Sequence, residues 1–145
     1  MENTHSMSRL QDLYQQGGQS PWLDNLRRGW IADGELARWV TAGVRGLTSN
    51  PTIFQKAIAS SSDYDAQFQE LCVAGRTVDE CYWELVTTDI RDALALLRPV
   101  FDASGGNDGF VSLEVAPSLA QDEEGTVAAA RHLHGLVDEP NLLIK

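Results

Sequence analysis

Apolar residues at Met7, Leu10, Leu13 and Tyr14 recur at helical spacing and stop at Gly17-Gly18, which predicts a short leading helix over 7–16. Pro21-Trp22-Leu23 is a brief apolar run ending on Asp24, and the stretch through Gly29 to Gly34 cannot hold one long helix. Helical character resumes over 35–42, with Leu36, Trp39 and Val40 on one side, and ends at Gly43. Val44 to Thr48 reads as a short strand. Ser49-Asn50-Pro51 follows at once, and a polar cap with proline in the first helical position starts a helix through Ile58.

Tyr64 to Ala74 is a further helical stretch. Thr77-Val78-Asp79-Glu80 is a capping box, and Val78, Tyr82, Leu85, Val86, Ile90, Leu94, Leu97 and Phe101 then repeat at threes and fours. Pro99 disfavours helical geometry at the residue before it, so this helix is expected to end by about Arg98. A turn at Gly105-Gly106 leads to a β-branched and aromatic run from Phe110 to Val115, bounded by Pro117. Helical spacing returns over 123–137, and Asn141 to Lys145 is a last apolar strand. Four short apolar strands alternating with helices are the pattern of a parallel sheet with helical crossovers, an α/β fold.

Composition agrees with a folded chain. The 145 residues are 43% hydrophobic and 22% charged, and a chain of this length buries roughly 70% of its unfolded surface. The net charge of -10, from 21 acidic and 11 basic side chains, argues against binding to nucleic acid or anionic lipid, because both need clustered Lys and Arg. An anionic substrate must therefore be met by a local site. Cys72 and Cys81 form neither a CxxC pair nor a disulfide framework, the first twenty residues lack an apolar leader, and no run approaches membrane-spanning length. A cytoplasmic location is the expectation.

Each apolar run finishes on a group able to do chemistry: Asp24, Thr48 leading to Asn50, Glu114 and Lys145. Lys145 and Lys56 are the two lysines of the chain. A lysine closing a buried strand would lose hydration and shed its proton more readily, which makes it a nucleophile for a ketone; the alternative is a solvated lysine. Asp24 is a general-base candidate or a turn cap. Asn50 orients a substrate hydroxyl through its amide or simply caps the next helix. Glu114, two positions from Ser112 on one strand face, is a functional carboxylate if that face lines a barrel interior and a solvated one if it lies at an edge.

Other features carry no such chemistry. His132 and His134 point in different directions on a helix and His5 lies in the polar leader, so no metal site is expected. The Gly pairs lack the following Lys-Ser/Thr of a phosphate loop. The four tryptophans read as packing, and Asp122-Glu123-Glu124 as charge meeting a helix dipole.

The segment Gly46-Leu47-Thr48-Ser49-Asn50-Pro51-Thr52-Ile53-Phe54 resembles the signature of transaldolases, and the likeness extends from about Gln19 to Lys145. Ser20 to Asp24 resembles the first strand of that family, Val111 to Val115 the third and Asn141 to Lys145 the fourth. The wording from Gly109 to Val115 resembles the branch sometimes fused to a glucose-6-phosphate isomerase domain. The resemblance implies a (β/α)₈ TIM barrel, of which residues 1–145 supply the amino-terminal half, with 1–18 as leading helix and linker.

It further implies that Lys145 is the Schiff-base lysine attacking a ketose phosphate, sedoheptulose 7-phosphate or fructose 6-phosphate. Asp24 would act as the base for carbon-carbon cleavage, Glu114 would serve the catalytic water, and Asn50 and Thr48 would hold the substrate. The dihydroxyacetone unit would pass to glyceraldehyde 3-phosphate or erythrose 4-phosphate, in the pentose phosphate pathway, with no cofactor or metal. A complete barrel typically needs about 250 residues, so the polypeptide by itself is expected to be inactive or nearly so. Its open strand edges are expected to pair with a second copy or a carboxyl-terminal half. A class I aldolase of the same fold and a non-catalytic half-barrel interaction module are the alternatives.

Overall fold

A computed structural model describes residues 8–145; Met7, the first residue of the expected leading helix, and His5 lie outside that range. Helix α1 (Arg9–Gly17) opens with a capping box between Ser8 and Gln11 and closes at Gly18, whose φ of 63° suits glycine. It docks through Ser8 and Gln11 onto the carbonyls of Ala42 and Thr41. Strand β1 (Trp22–Leu23) follows. The glycine-broken stretch forms two short helices, α2 (Arg28–Ala32) and α3 (Glu35–Thr41), before β2 (Gly46–Thr48).

Asn50 caps α4 (Pro51–Ser60) by accepting from the Ile53 amide at 2.9 Å, with Pro51 in the first turn as its fixed φ favours. A 3₁₀ turn (Ser62–Tyr64) joins α4 to α5 (Asp65–Val73), and the long helix α6 (Val78–Ala103) starts at the Thr77/Glu80 box. Strand β3 (Val111–Leu113), a 3₁₀ turn (Pro117–Leu119), α7 (Glu123–Val137) and β4 (Leu142–Ile144) complete the order.

Helix α6 corrects the expected end near Arg98: it runs through Pro99 to Ala103. An aromatic contact beyond the helix and an ion pair within it hold the last turn against the local penalty. Phe101 stacks edge-on against Phe110 with ring centroids 5.4 Å apart, and Arg98 bonds Asp102 one turn on at 2.9 Å. The backbone of Gly109 presses against that turn so closely that a Cβ there would lie 2.3 Å from the Phe101 nitrogen. With φ at 80°, position 109 admits glycine for both reasons.

The four strands form one parallel sheet in the order β1-β2-β3-β4. Its register pairs Leu23 with Leu47, Leu47 with Val111 and Val111 with Leu142. Leu47, Val111, Leu113 and Leu142 are buried in one core with Phe54, Ile90, Leu94, Leu97 and Leu133 of the helices. Buried Asn141 ties this layer together, its Nδ2 donating to the carbonyls of Leu94 and Gly109. Because side chains alternate along a strand, Trp22, Gly46, Thr48, Ser112 and Leu143 occupy the opposite face. Trp22 lies across Gly46, where a Cβ would come within 2.2 Å of the indole. This parallel α/β sheet with helical crossovers is the arrangement of the first four strands of a TIM barrel.

Candidate functional site

Parallel pairing carries every carboxyl strand end to one rim. Extending the register one residue beyond Leu23–Leu47 sets Asp24 beside Thr48, and one beyond Leu113–Ile144 sets Glu114 beside Lys145. Thr48 Oγ1 donates to Asp24 Oδ1. Lys145 Nζ pairs with Glu114 Oε1 at 2.9 Å, and their backbones continue the ladder: Lys145 N donates to the Leu113 carbonyl at 2.9 Å and Val115 N to the Lys145 carbonyl at 3.1 Å. By alternation, both Glu114 and Lys145 share the face of Ser112 and Leu143, away from the helices. Ser112, two residues before Glu114 on that face, is buried, with a hydroxyl that has no partner among the described residues.

Of the two alternatives for Lys145, a dry and a solvated side chain, the structure holds the solvated one. Lys145 keeps 42% of its side-chain surface exposed, and a carboxylate stands beside it. The strand that carries it is apolar only toward the helices: Leu142 is buried, while Leu143 is 42% exposed.

A cleft of about 480 Å³ opens at this rim, lined by Asp24, Asn50, Thr52, Lys56, Glu114 and Pro117 among others. Three of the expected site residues therefore meet on one cavity. Thr48 reaches it through Asp24, and Lys145 through Glu114. Asn50 Oδ1 is occupied with the helix cap, so capping and presentation of the amide to the cleft occur together. Behind Glu114 stands Tyr82 of α6; burial pushes its phenol above the usual range and the Glu114 charge adds to that.

Lys56 is a charged lining residue that the strand-end pattern did not single out. A signal was present: Thr52 and Lys56 are four apart after the Asn50 cap, so they share the helix face that starts at the rim. A second cleft of about 530 Å³ lies between α6 and α7, lined by Trp83, Leu119, Leu133, Leu136 and His132 among others, and contains none of the strand-end residues. Among the described residues, no group of three or more His, Cys, Asp or Glu could hold a metal ion. No helix among them is long and apolar enough to cross a membrane.

A parallel sheet with helical crossovers, whose strands all end on polar groups at one rim, places the chain in the (β/α)-barrel class. Residues 21–145 match the family described as Transaldolase/Fructose-6-phosphate aldolase. The chain belongs to the transaldolase family. It is 51% identical over 146 residues to a protein of Thiobacillus denitrificans named Transaldolase, covering 100% of this chain and 39% of that protein. Transaldolase 1 of Streptomyces coelicolor is 50% identical over 145 residues, covering 99% of this chain and 38% of the relative. Transaldolase 1 of Streptomyces avermitilis is 48% identical over 141 residues, with 97% and 36% covered. The chain thus spans less than two thirds of the length of the relatives it matches, whose names are those of an enzyme family of transferases.

Proposed function

We propose that residues 1–145 carry the Schiff-base half of a transaldolase barrel, with 1–18 as its leading helix and linker. Its role is to take a dihydroxyacetone unit from a ketose phosphate and pass it to an aldose phosphate. The observation that supports this most is the pairing of Lys145 with Glu114 beside a cleft that Asp24 and Asn50 also line. A carboxylate 2.9 Å from an ammonium can take its proton and return it, which is the exchange that imine formation needs.

In this reading Glu114 accepts the Lys145 proton, and the free amine attacks the ketone carbon. The attacking nitrogen gives up a proton and the former carbonyl oxygen takes one up, which yields the neutral carbinolamine. Glu114 then protonates the departing hydroxyl, water leaves and the iminium forms. Asp24, steadied by the Thr48 hydroxyl, takes the proton of the β-hydroxyl. The carbon-carbon bond breaks, its electron pair moves into the iminium, and an aldose phosphate departs. The resulting enamine attacks the carbonyl carbon of the acceptor aldose, and hydrolysis of the new iminium frees Lys145. Asn50 holds the three-carbon unit through its amide.

Borohydride reduction in the presence of fructose 6-phosphate tests this, read by mass spectrometry on the 145-residue chain and on its full reading frame. The expected result is a reduced three-carbon adduct on Lys145 in the full reading frame, with little or none on the 145-residue chain alone, lost in Lys145→Met and slowed by about tenfold or more in Glu114→Gln. A folded protein that gives no adduct in either form would overturn the reading. A second reading, a half-barrel that associates with another chain or with its own carboxyl-terminal half, is favoured by a separate observation. Trp22 and Leu143 are 37% and 42% exposed on the sheet face opposite the helices.

A further inference from the structure

Cys72 and Cys81 form no motif along the chain, yet the fold brings them together. Helix α5 ends in a left-handed turn at Gly75, with φ of 76°. In that turn the Gly75 amide donates to the Cys72 carbonyl at 3.0 Å and the Arg76 amide to the Leu71 carbonyl at 3.1 Å. The chain reverses there, and α6 starts at Val78 and packs back along α5. Leu85, one turn past Cys81 on the same face of α6, shares a small core with Leu71, the neighbour of Cys72. The Cys81 sulfur lies 4.0 Å from the Arg76 carbonyl, within the same turn, and in hydrogen-bond reach of the Cys72 thiol.

The two thiols differ in access. Cys72 is exposed, whereas Cys81 is buried, with 1% of its surface open. Burial pushes the Cys81 thiol up, and Cys72 beside it pushes it further. An oxidant in solution therefore meets Cys72 first, while Cys81 is shielded and keeps its proton. Cys81 by itself would be an inert packing residue. Contact with an exposed thiol changes that, because an oxidised Cys72 is formed next to a waiting partner.

We propose that Cys72 and Cys81 are a reversible redox pair that takes a hydroperoxide as its oxidant: Cys72 is oxidised first, and Cys81 resolves it into a disulfide joining α5 to α6. The Cys72 sulfur attacks a peroxide oxygen, the O–O bond breaks, and the departing oxygen leaves with the thiol proton, as water when the oxidant is hydrogen peroxide. The product is a sulfenic acid. The Cys81 sulfur then attacks the Cys72 sulfur; the S–O bond breaks, an S–S bond forms, and the hydroxyl leaves as water with the Cys81 proton. Two electrons pass from the sulfur pair to the peroxide. An external dithiol reverses the step by exchange. The sulfurs must close to a bond of about 2.05 Å, and the linker from Gly75 to Thr77 is exposed and free to follow them. The resulting staple fixes the linker whose Arg76, with Glu80, borders the cleft between α6 and α7. None of this depends on the chemistry of the strand rim.

The test treats the folded protein, expressed from its full reading frame, with hydrogen peroxide, then alkylates free thiols, unfolds the chain and digests it with trypsin. Cleavage after Arg76 separates the two cysteines, so the disulfide is read by mass spectrometry as peptide 57–76 linked to peptide 77–91, lighter by two hydrogens than the pair. Wild type should give this linked pair, and dithiothreitol should abolish it. Cys81→Ala should lose the link and leave a Cys72 sulfenic acid that dimedone traps, while Cys72→Ser should leave Cys81 unoxidised at the same peroxide dose. Circular dichroism checks that both variants are folded. Free thiols throughout, a link that forms only in the urea-unfolded chain, or Cys72 joined to Cys72 of a second copy in place of Cys81 would overturn the inference. So would dimedone labelling of Cys72 that is equal in wild type and Cys81→Ala, or oxidation of Cys81 that persists in Cys72→Ser.

Discussion

Asp89 is fully buried, and both of its oxygens are met: Arg28 Nε donates at 2.7 Å and the Tyr64 hydroxyl at 2.8 Å. The Arg28 guanidinium also lies 4.3 Å from the centre of the Tyr64 ring, so three residues pin α2 and the 3₁₀ turn to α6. Burial pushes the Asp89 carboxyl up, while bonds from Arg28 and Tyr64 pull it back. Burial raises the Tyr64 phenol well above its usual range, and the Asp89 charge raises it further. A group whose folded pKa is raised contributes stability in full below its unfolded value, and that contribution is lost as pH climbs toward the folded one. Wild type should therefore lose stability as pH rises above about 10, the ordinary phenol range. Tyr64→Phe should start about 1–2 kcal/mol lower at neutral pH, having lost a buried bond, and fall less steeply across the alkaline range. Urea unfolding at a series of pH values checks this; parallel curves for the two proteins would refute it. Nothing in the periodicity of the chain announced this triad, because Arg28, Tyr64 and Asp89 come from three segments that only folding brings together. Asp24, Glu114 and Lys145 were legible for the opposite reason: each closes an apolar run, where a polar group is conspicuous.

Element boundaries followed the sequence where local chemistry decides them. Helix α7 begins at Glu123 because Asp122 accepts from the Gly125 amide, and it ends at Val137 before Asp138 turns left-handed with φ of 52°. Strands came out shorter than their apolar runs: β2 holds Gly46–Thr48 out of the expected 44–48, and β3 holds Val111–Leu113 out of 110–115. Val44 is buried all the same, since an apolar residue can fill a core without joining a ladder. The end of α6 was misjudged because the rule against helix before proline is local, whereas the contacts of Phe101 are not. Pro99 is exposed and donates no amide hydrogen, so the local cost persists in the folded chain. Pro99→Ala should stabilise the protein by about 1–3 kcal/mol, read as a higher urea midpoint with unchanged slope. A lower midpoint would mean that the ring makes contacts worth more than the missing bond.

At the largest scale, the sheet is covered by helices on one face and carries exposed Trp22 and Leu143 on the other, and among the described residues strands β1 and β4 each pair on one side only. Open parallel edges and an uncovered apolar face promote association. Size-exclusion chromatography with light scattering at micromolar concentration should find dimers or larger species, and Leu143→Ser with Trp22→Ser should shift them toward monomer. A wild-type chain that stays monomeric would count against this. The α/β class, the order of elements, the helix starts and the polar residues at strand ends were determined by sequence alone, since caps, periodicity and turn residues act within a few positions. Only the tertiary structure decided that Lys145 is ion-paired with Glu114, that Lys56 joins Asp24 and Glu114 at one cleft, and that α6 continues past Pro99. Those outcomes depend on strand register and on packing between residues distant in sequence, where the energies that choose between alternatives arise from contacts no local pattern records.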